Sequence, residues 1–250
     1  MTLVASASPV PPDPATPAPR QVPLGPVGRA VHQRVTYLQR GYLDHRSDAV
    51  GALARLRRGI GRPAGEVADL WGLIGTEPLY EQYERRELTE EAMLRAEEAA
   101  HAAVTLWSLH QQSHHTVRMH RRPGPELGAA VRRLAPGSDI DEPTRKRFVR
   151  AGTAATPVVL AGRLRELVLL LRREAVPLDY GLLADQLHTW QSPGGPQSVR
   201  RSWGRSYLAV HPSAPGNGPS PTAEPNGPAT APDTDDPQLP HPTLPEDDTP

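Results

Sequence analysis

Four histidines and three arginines lie within thirteen consecutive residues, HQQSHHTVRMHRR, from His110 to Arg122. Imidazole binds transition metals and exchanges protons near neutral pH, whereas guanidinium groups bind phosphate. The stretch could therefore form a metal site, a catalytic site or a surface for an acidic partner. His110 and His114 are four residues apart, as in the HExxH metal helix, but two glutamines and a serine separate them, so the general-base glutamate of that motif is missing.

The helix that leads into this stretch favours a packing role for the two histidines. At 100° per residue, Ala103, Leu106 and Trp107 lie on one apolar stripe, and His110 and His114 continue it. We therefore interpret both as hydrogen-bonded residues at the edge of the core. Metal ligation and contact with a partner are the alternatives, and we predict neither a metal site nor a cofactor.

The arginines of the stretch differ from its histidines. Arg118, Arg121 and Arg122 fall where the helix gives way to a Pro-Gly turn, and no apolar stripe includes them. Exposed arginines in a loop can bind phosphate oxygens with a bidentate geometry that lysine lacks. A basic turn that is merely solvated is the alternative interpretation.

The densest basic patch is TRKRFVR, from Thr144 to Arg150, which places four cations around the single phenylalanine of the chain. On a helix, Phe148 would face the core while the cations spread over the other side. We predict phosphate contacts here. The predicted residues are Arg145, Lys146 and Arg147, together with Arg132 and Arg133 just before them; the pairs Arg57 with Arg58 and Arg200 with Arg201 are similar but sparser.

The charge of the chain is unevenly distributed. Its 28 Lys and Arg balance 28 Asp and Glu overall, but residues 25–211 hold 27 cations against 20 acidic residues. Such an excess suggests a polyanionic partner, usually nucleic acid or an anionic membrane. Lys146 is the only lysine, so the arginine content also reflects compositional bias. The placement of the arginines is therefore more informative than their number.

The sequence lacks motifs for catalysis. There is no cysteine, hence no thiolate nucleophile, and neither GxSxG nor GxxxxGK[ST] occurs. Neighbouring carboxylates such as Glu90 and Glu91 point apart on a helix. We therefore expect a protein that is not an enzyme. The N-terminus has no basic n-region and no sustained apolar run, and no 18-residue apolar stretch is present, so we expect a cytoplasmic protein.

Apolar residues recur at helical spacing, and long β-branched alternation is absent, so the sequence predicts an all-α fold. Thr89, Asp141, Thr156 and Asp179 have the pattern of helix N-caps. The predicted helices lie near Val27 to Leu43, Ser47 to Arg58, Pro63 to Ile74, Thr89 to Gln112, Glu126 to Leu134, Glu142 to Ala151, Pro157 to Glu174, Asp179 to Trp190 and Ser198 to Leu208.

Proline marks the predicted limits of the folded region. Residues 1–26 contain eight of the 30 prolines and residues 212–250 contain twelve, and neither segment shows apolar periodicity, so we predict two disordered tails, the second of them acidic. Between them we expect two small helical bundles, residues 27–122 and the basic residues 123–211, joined by a short hinge near residues 122–124. A break is expected at APGSD, residues 135–139.

Several stretches of the chain follow a recognisable order and spacing. They are ALARLRRGIG at 52–61, the HQQS region with MHRRPGPELGAAVRRL, RKRFVRA at 145–151, residues 160–187 and VRRSWGRSY at 199–207. In that order they resemble the small subunit of the type I-E CRISPR Cascade complex, the CasB family. The resemblance covers residues 27–208, and it implies a non-enzymatic all-α subunit in two helical parts. It also implies two copies arranged head to tail, contacts with the Cascade backbone and large subunits and with the target and non-target DNA strands, indirect contact with the crRNA, and no membrane.

The resemblance also suggests which residues bind nucleic acid. Carried over by position, the basic surface of the family corresponds to Arg58, to the pair Arg132 and Arg133, to Arg145, Lys146 and Arg147, and to Arg163 and Arg165. Arg163 borders an apolar stripe, so a packing role is its alternative. Together with Arg118 and Arg121 these form the predicted nucleic-acid-binding set. A purely structural adaptor, whose arginines pair with acidic partner surfaces, is the competing hypothesis.

Overall fold

The structure, a computed structural model, describes residues 22–134 and 141–209. The all-α prediction is confirmed: this part of the chain contains helices, and its β-type pairing consists of one isolated parallel bridge between His120 and Leu178. Within it, no helix is long and apolar enough to cross a membrane. The α-helices are α1 Pro26–Leu43, α2 Ser47–Leu56, α3 Glu77–Glu84, α4 Glu90–Gln111, α5 Leu127–Arg132, α6 Glu142–Gly152, α7 Pro157–Arg173, α8 Tyr180–Trp190 and α9 Gly195–Leu208.

The four predicted N-caps are confirmed. In each, the side-chain oxygen accepts a hydrogen bond from a backbone N–H of the first helical turn, which has no partner within the helix. Short polar side chains thus fix where α4, α6, α7 and α8 begin. The caps and their donors are Thr89 with Ala92 N at 3.2 Å, Asp141 with Thr144 N at 3.1 Å, Thr156 with Val159 N at 3.3 Å and Asp179 with Leu182 N at 3.1 Å.

The predicted helix from Pro63 to Ile74 is wrong. Two short 3-10 turns, Ala64–Glu66 and Ala68–Leu70, occupy this region. Glycines at 61, 72 and 75 have φ of 77°, 73° and 83°, a left-handed conformation that ends helical turns. In this region Val67 and Leu70 are buried, whereas Trp71 points outward and is 72% exposed.

Helix α8 lies at the centre of the fold, packed against α1 and α4. Gly28 of α1 faces Gly181 of α8 so closely that a Cβ at Gly28 would lie 2.6 Å from the Gly181 carbonyl oxygen. The Asp185 carboxylate of α8 accepts hydrogen bonds from the backbone N–H groups of Gly25 and Gly28, both at 2.7 Å. These small residues allow α1 and α8 to approach, and the carboxylate satisfies the N-terminus of α1.

The two predicted bundles share one hydrophobic core. Buried residues of α1, α2 and α4 belong to the same cluster as those of α7, α8 and α9. The predicted boundary between the two bundles, near residues 122 and 123, stays a prediction. The predicted tails lie mostly outside the described residues, as does the predicted break at 135–139. Helix α1 begins at Pro26, and the backbone N–H of Gly25 before it donates to Asp185.

Candidate nucleic-acid interface

His110 and His114 pack at the end of α4, as predicted. His110 is completely buried, and its Nδ1 lies 2.9 Å from the hydroxyl of Tyr180. Burial lowers the pKa of His110 to about 3. His114 is half-buried, with its Nε2 2.9 Å from the carbonyl oxygen of Arg172. Both imidazoles therefore join α4 to the C-terminal half of the chain.

A third histidine of the stretch, His120, lies between α1 and α8. Its Nδ1 accepts a hydrogen bond from the backbone N–H of Tyr180 at 3.1 Å, so the neutral ring carries its proton on Nε2. That nitrogen lies 2.8 Å from Nδ1 of His32 and can donate to it. Burial, with some repulsion from His32, lowers the pKa of His120 to about 3. Across residues 22–134 and 141–209 there is no group of three His, Cys, Asp or Glu side chains that could hold a metal ion.

Arg122 is not the exposed cation that the sequence predicted. Its side chain is 9% exposed and forms a 2.7 Å salt bridge with Asp179, which is 3% exposed and caps α8. The same guanidinium donates to the carbonyl of Val22. The segment around it is further fixed by hydrogen bonds that pair Met119 and Arg121 with Leu178. Arg122 is therefore a packing residue, because its charge is already neutralised inside the fold.

Arg118 and Arg121 are exposed on this same segment. The backbone N–H of Arg121 donates to the carbonyl of Leu178 at 3.3 Å, which fixes its Cα while the side chain extends into solvent. These two arginines fit the predicted role as surface cations.

On α6, Glu142 partly neutralises the predicted basic patch. Arg145 binds Glu142 through two hydrogen bonds of 2.7 and 3.0 Å, and Lys146 lies 3.8 Å from the same carboxylate. Both cations remain exposed. Exposed pairs of this kind contribute little to stability because water and salt screen them, so a phosphate can replace the carboxylate at little cost. Arg147 is half-buried beside Phe148.

Helix α9 packs against both α5 and α6, and these three helices with the residue after α5 carry nine cations. Phe148 of α6 stacks on Tyr207 of α9 with ring centroids 5.1 Å apart, and Gly152 of α6 packs against the side chain of Arg200. Helix α5 lies against α9 through Gly128. We name the resulting group the α5–α6–α9 surface; it comprises Arg132, Arg133, Arg145, Lys146, Arg147, Arg150, Arg200, Arg201 and Arg205.

Two of these helices also provide cations that the predicted set omitted. Arg150, Arg200, Arg201 and Arg205 are all exposed. The signal for them was present in VRRSWGRSY, where only Val199 and Trp203 are buried and the arginines must face outward. Their assignment required the contact between α6 and α9, which joins residues about 50 positions apart in the sequence.

The remaining predicted residues lie on other elements. Arg58 is exposed on a 3-10 turn, Arg57–Gly59, that packs on α2 and α4. Arg165 is exposed on α7, which packs on α6. Arg163 of α7 forms a 2.9 Å salt bridge with Glu166, and the two side chains are 40% and 41% exposed. The predicted set thus divides into one large surface, its neighbour α7, and the separate positions Arg58, Arg118 and Arg121.

Comparison with known proteins identifies the family. The family model for CRISPR-associated protein Cse2 matches residues 52–208. The chain belongs to the Cse2 family. All ten residues of the predicted nucleic-acid-binding set lie within the part that matches the Cse2 model, whereas residues 209–250 lie beyond it.

Solved structures agree with the Cse2 assignment. The crystal structure of CasB from Thermobifida fusca is 52% identical, with a TM-score of 0.68, and the similarity covers 75% of this chain and 100% of that one. A chain from a CRISPR RNA-guided surveillance complex has the same fold, with a TM-score of 0.52 and 20% identity over 72% of this chain and 92% of the other. No curated protein matches this Cse2-family chain.

Proposed function

We propose that this chain is the non-catalytic small subunit of a CRISPR RNA-guided surveillance complex of the type I-E Cascade class. In this proposal it acts in the cytoplasm, bridges the backbone and large subunits, and stabilises the R-loop through contacts with the nucleic-acid backbone. The observation that carries the proposal is the α5–α6–α9 surface, where nine cations from three helices lie on a protein whose sequence is neutral overall.

The energetics of an R-loop explain why such a surface is useful. The RNA–DNA heteroduplex is about as stable as the DNA duplex that it replaces, so modest protein contacts with the backbone decide the equilibrium. Contacts with phosphate do not depend on base identity, which suits a complex whose sequence specificity comes from the guide. Arginine is suited to this role because its planar guanidinium binds phosphate oxygens in pairs.

The family resemblance supports the choice of partners in this proposal. Two copies arranged head to tail would double the cationic surface along the displaced and target strands, while contact with the crRNA would be indirect through the heteroduplex. Arg58, Arg118 and Arg121, which lie outside the α5–α6–α9 surface, would then contact strands or subunits at other points of the assembly.

A structural adaptor is the second candidate function. The pairs Arg145 with Glu142 and Arg163 with Glu166 show that these arginines accept carboxylate partners, as an acidic subunit surface would supply. Salt separates the two candidates. Displacement of cations condensed on duplex DNA gives log K a slope of about −0.9 per neutralised phosphate against log salt, so contacts by this surface predict a slope of several units.

The test is charge reversal at the α6 cations, with the variant R145E/K146E/R147E. We expect the free protein to lose at least about tenfold in affinity for duplex and single-stranded DNA in mobility-shift assays, because three phosphate contacts become repulsive. The R-loop of the assembled complex should dissociate faster. A matched variant, R40E/R55E/R85E, reverses the same number of charges at three exposed arginines on α1, α2 and the end of α3. If both variants bind DNA and hold the R-loop like the parent chain, the assignment of this surface is wrong.

A further inference from the structure

The segment between α2 and α3 presents an aromatic groove that the proposed function does not use. Trp71 is 72% exposed and Tyr80 is 45% exposed, and both line a cavity of about 390 Å³. The volume lies within the range of roughly 300–1,000 Å³ that is typical of ligand sites. The apolar floor of the cavity consists of Val67, Leu70 and Ile74, all buried.

The groove is held in place by contacts behind it. The Arg34 guanidinium of α1 donates to the carbonyl of Leu73 at 2.8 Å and to that of Gly72 at 2.9 Å, so α1 supports the loop that carries Trp71. On the other wall, the hydroxyl of Tyr80 donates to the carboxylate of Glu97 on α4. This bond orients the tyrosine ring and raises the pKa of Tyr80 to about 12. The ring of Tyr80 and the backbone that carries Trp71 are therefore positioned before any occupant binds.

The chemistry of the groove fits a proline-rich peptide. Polyproline II segments dock into aromatic-lined grooves because they are already extended, lose little entropy on binding and leave their carbonyl groups without internal hydrogen bonds. An exposed indole adds an N–H that donates to such carbonyls. Trp71 combines an open ring face with this donor.

The chain itself contains such a segment. SPVPPDPATPAP, residues 8–19, has six prolines in twelve residues and the PxxP spacing at Pro9–Pro12, Pro11–Pro14 and Pro14–Pro17. The segment has one charged residue, Asp13, so its electrostatic repulsion from Glu97, which lines the groove, is small. We propose that residues 8–19 dock into the Trp71 groove of the same chain.

The point of attachment makes this docking possible. The carbonyl of Leu24 accepts a hydrogen bond from Arg29 at 2.7 Å, and Arg34, five residues further along α1, binds the loop of the groove. Five helical residues rise about 7.5 Å, on a helix that is about 10–12 Å across. Arg122 holds the carbonyl of Val22, so the chain is free to extend only before that residue. From Val22 back to Ser8 the chain would span about 43 Å when extended as polyproline II, which exceeds the length of about 27 Å of the 18-residue helix α1. The PxxP part of the segment is therefore long enough to reach the groove.

Tryptophan fluorescence tests the proposal directly, because Trp107, Trp190 and Trp203 are buried and Trp71 is the exposed member of the four. Docked prolines shield Trp71 from acrylamide. We expect P11A/P12A/P14A in the full chain to raise the Stern–Volmer constant at least twofold, and W71F to lose most of the quenchable emission. The control P219A/P221A/P225A, in the other proline-rich segment, should quench like the parent chain.

A synthetic peptide of residues 8–19, added to P11A/P12A/P14A, should restore the protection. Equal quenching in the parent chain and P11A/P12A/P14A would overturn the proposal, because the groove would then be open in both. Protection that increases with protein concentration would also overturn it, in favour of a second copy as the occupant. If W71F leaves the quenching unchanged, Trp71 is not the exposed fluorophore and the proposal loses its basis. None of these results depends on nucleic-acid binding, so the inference and the proposed function can fail separately.

Discussion

At the scale of single residues, the histidines of residues 110–122 stabilise the fold through hydrogen bonds. His110, His114 and His120 each bond a group from the C-terminal half of the chain, namely Tyr180 and Arg172. Because His110 and His120 are buried, their charged forms are disfavoured. Ring nitrogens that suggested metal chemistry in the sequence instead form hydrogen bonds that join α4 and the segment after it to the C-terminal half of the chain.

The burial of His110 and His120 predicts that the folded protein loses stability in acid. A histidine whose folded pKa is about 3 and whose unfolded pKa is 6.5 takes up protons more readily when unfolded, so stability is complete above pH 6.5 and falls as the pH drops toward 3. Each of the two residues should cost about 1.4 kcal/mol of unfolding free energy per pH unit below 6.5. Urea unfolding at pH 7.5 and 5.5 should therefore differ by about 3 kcal/mol.

A substitution at an exposed histidine provides the control for this prediction. His115→Gln lies in the same stretch at an exposed position and should keep the pH dependence of the parent chain. An unfolding free energy that is the same at both pH values would contradict the assigned burial of His110 and His120.

Arg122 shows how a neighbouring charge decides the role of an arginine. Its salt bridge with Asp179 is buried, whereas Arg121, next to it, is exposed. Removing one partner of a buried pair leaves an uncompensated charge inside the protein, which costs several kcal/mol. Arg122 therefore stabilises the fold, whereas Arg121, its neighbour in sequence, contributes to the surface charge.

At the scale of elements, glycine determines how closely the helices of the α5–α6–α9 surface pack. A Cβ at Gly128 would lie 2.0 Å from the carbonyl oxygen of Trp203, so Gly128→Ala must push α5 away from α9. We expect a loss of about 1–3 kcal/mol in unfolding free energy, the usual cost of overpacking. Chemical denaturation followed by circular dichroism measures it.

Gly204→Ala on the same α9 is the matched control. A Cβ there has nothing within 4 Å, and alanine favours the helix by about 0.5–1 kcal/mol over glycine, so this variant should be more stable than the parent chain. If both alanine variants shift stability in the same direction, the close approach of α5 and α9 is wrong.

At the scale of the whole molecule, the shared core bears on the predicted division into two bundles. Helix α8 packs on α1 and α4, and the buried Trp107 of α4 and Trp203 of α9 belong to one hydrophobic cluster. Two separately stable bundles would unfold in two steps. The shared core favours a single step, because neither half can keep its apolar surface buried alone.

We therefore expect one cooperative unfolding transition. Tryptophan emission, which reports the cores of both halves, and far-ultraviolet circular dichroism should give the same midpoint and the same m-value. Transitions that separate between the two probes, or a calorimetric trace with two peaks, would support independent bundles divided near residue 122.

Much of the architecture could be predicted from the sequence, because it depends on local rules. On α7 the apolar residues that recur at helical spacing are all buried, and four N-caps begin their helices where short polar residues indicated. The buried residues are Leu160, Leu164, Leu167, Val168 and Leu171. The helix expected at 63–74 failed because its apolar spacing was helical while its glycines imposed turns.

The candidate site depended more on tertiary structure. The sequence by itself determined an all-α chain with a cationic second half and identified Arg118, Arg121, Arg133, Arg145 and Arg165 as surface cations, because side-chain type and helical period require only neighbouring residues. Only the tertiary structure decided that Arg122 is neutralised by Asp179, that Glu142 holds Arg145, and that Arg200 joins the cations of α6. These outcomes depend on which helices touch, and contacts between residues some 50 positions apart are set by packing of the whole core.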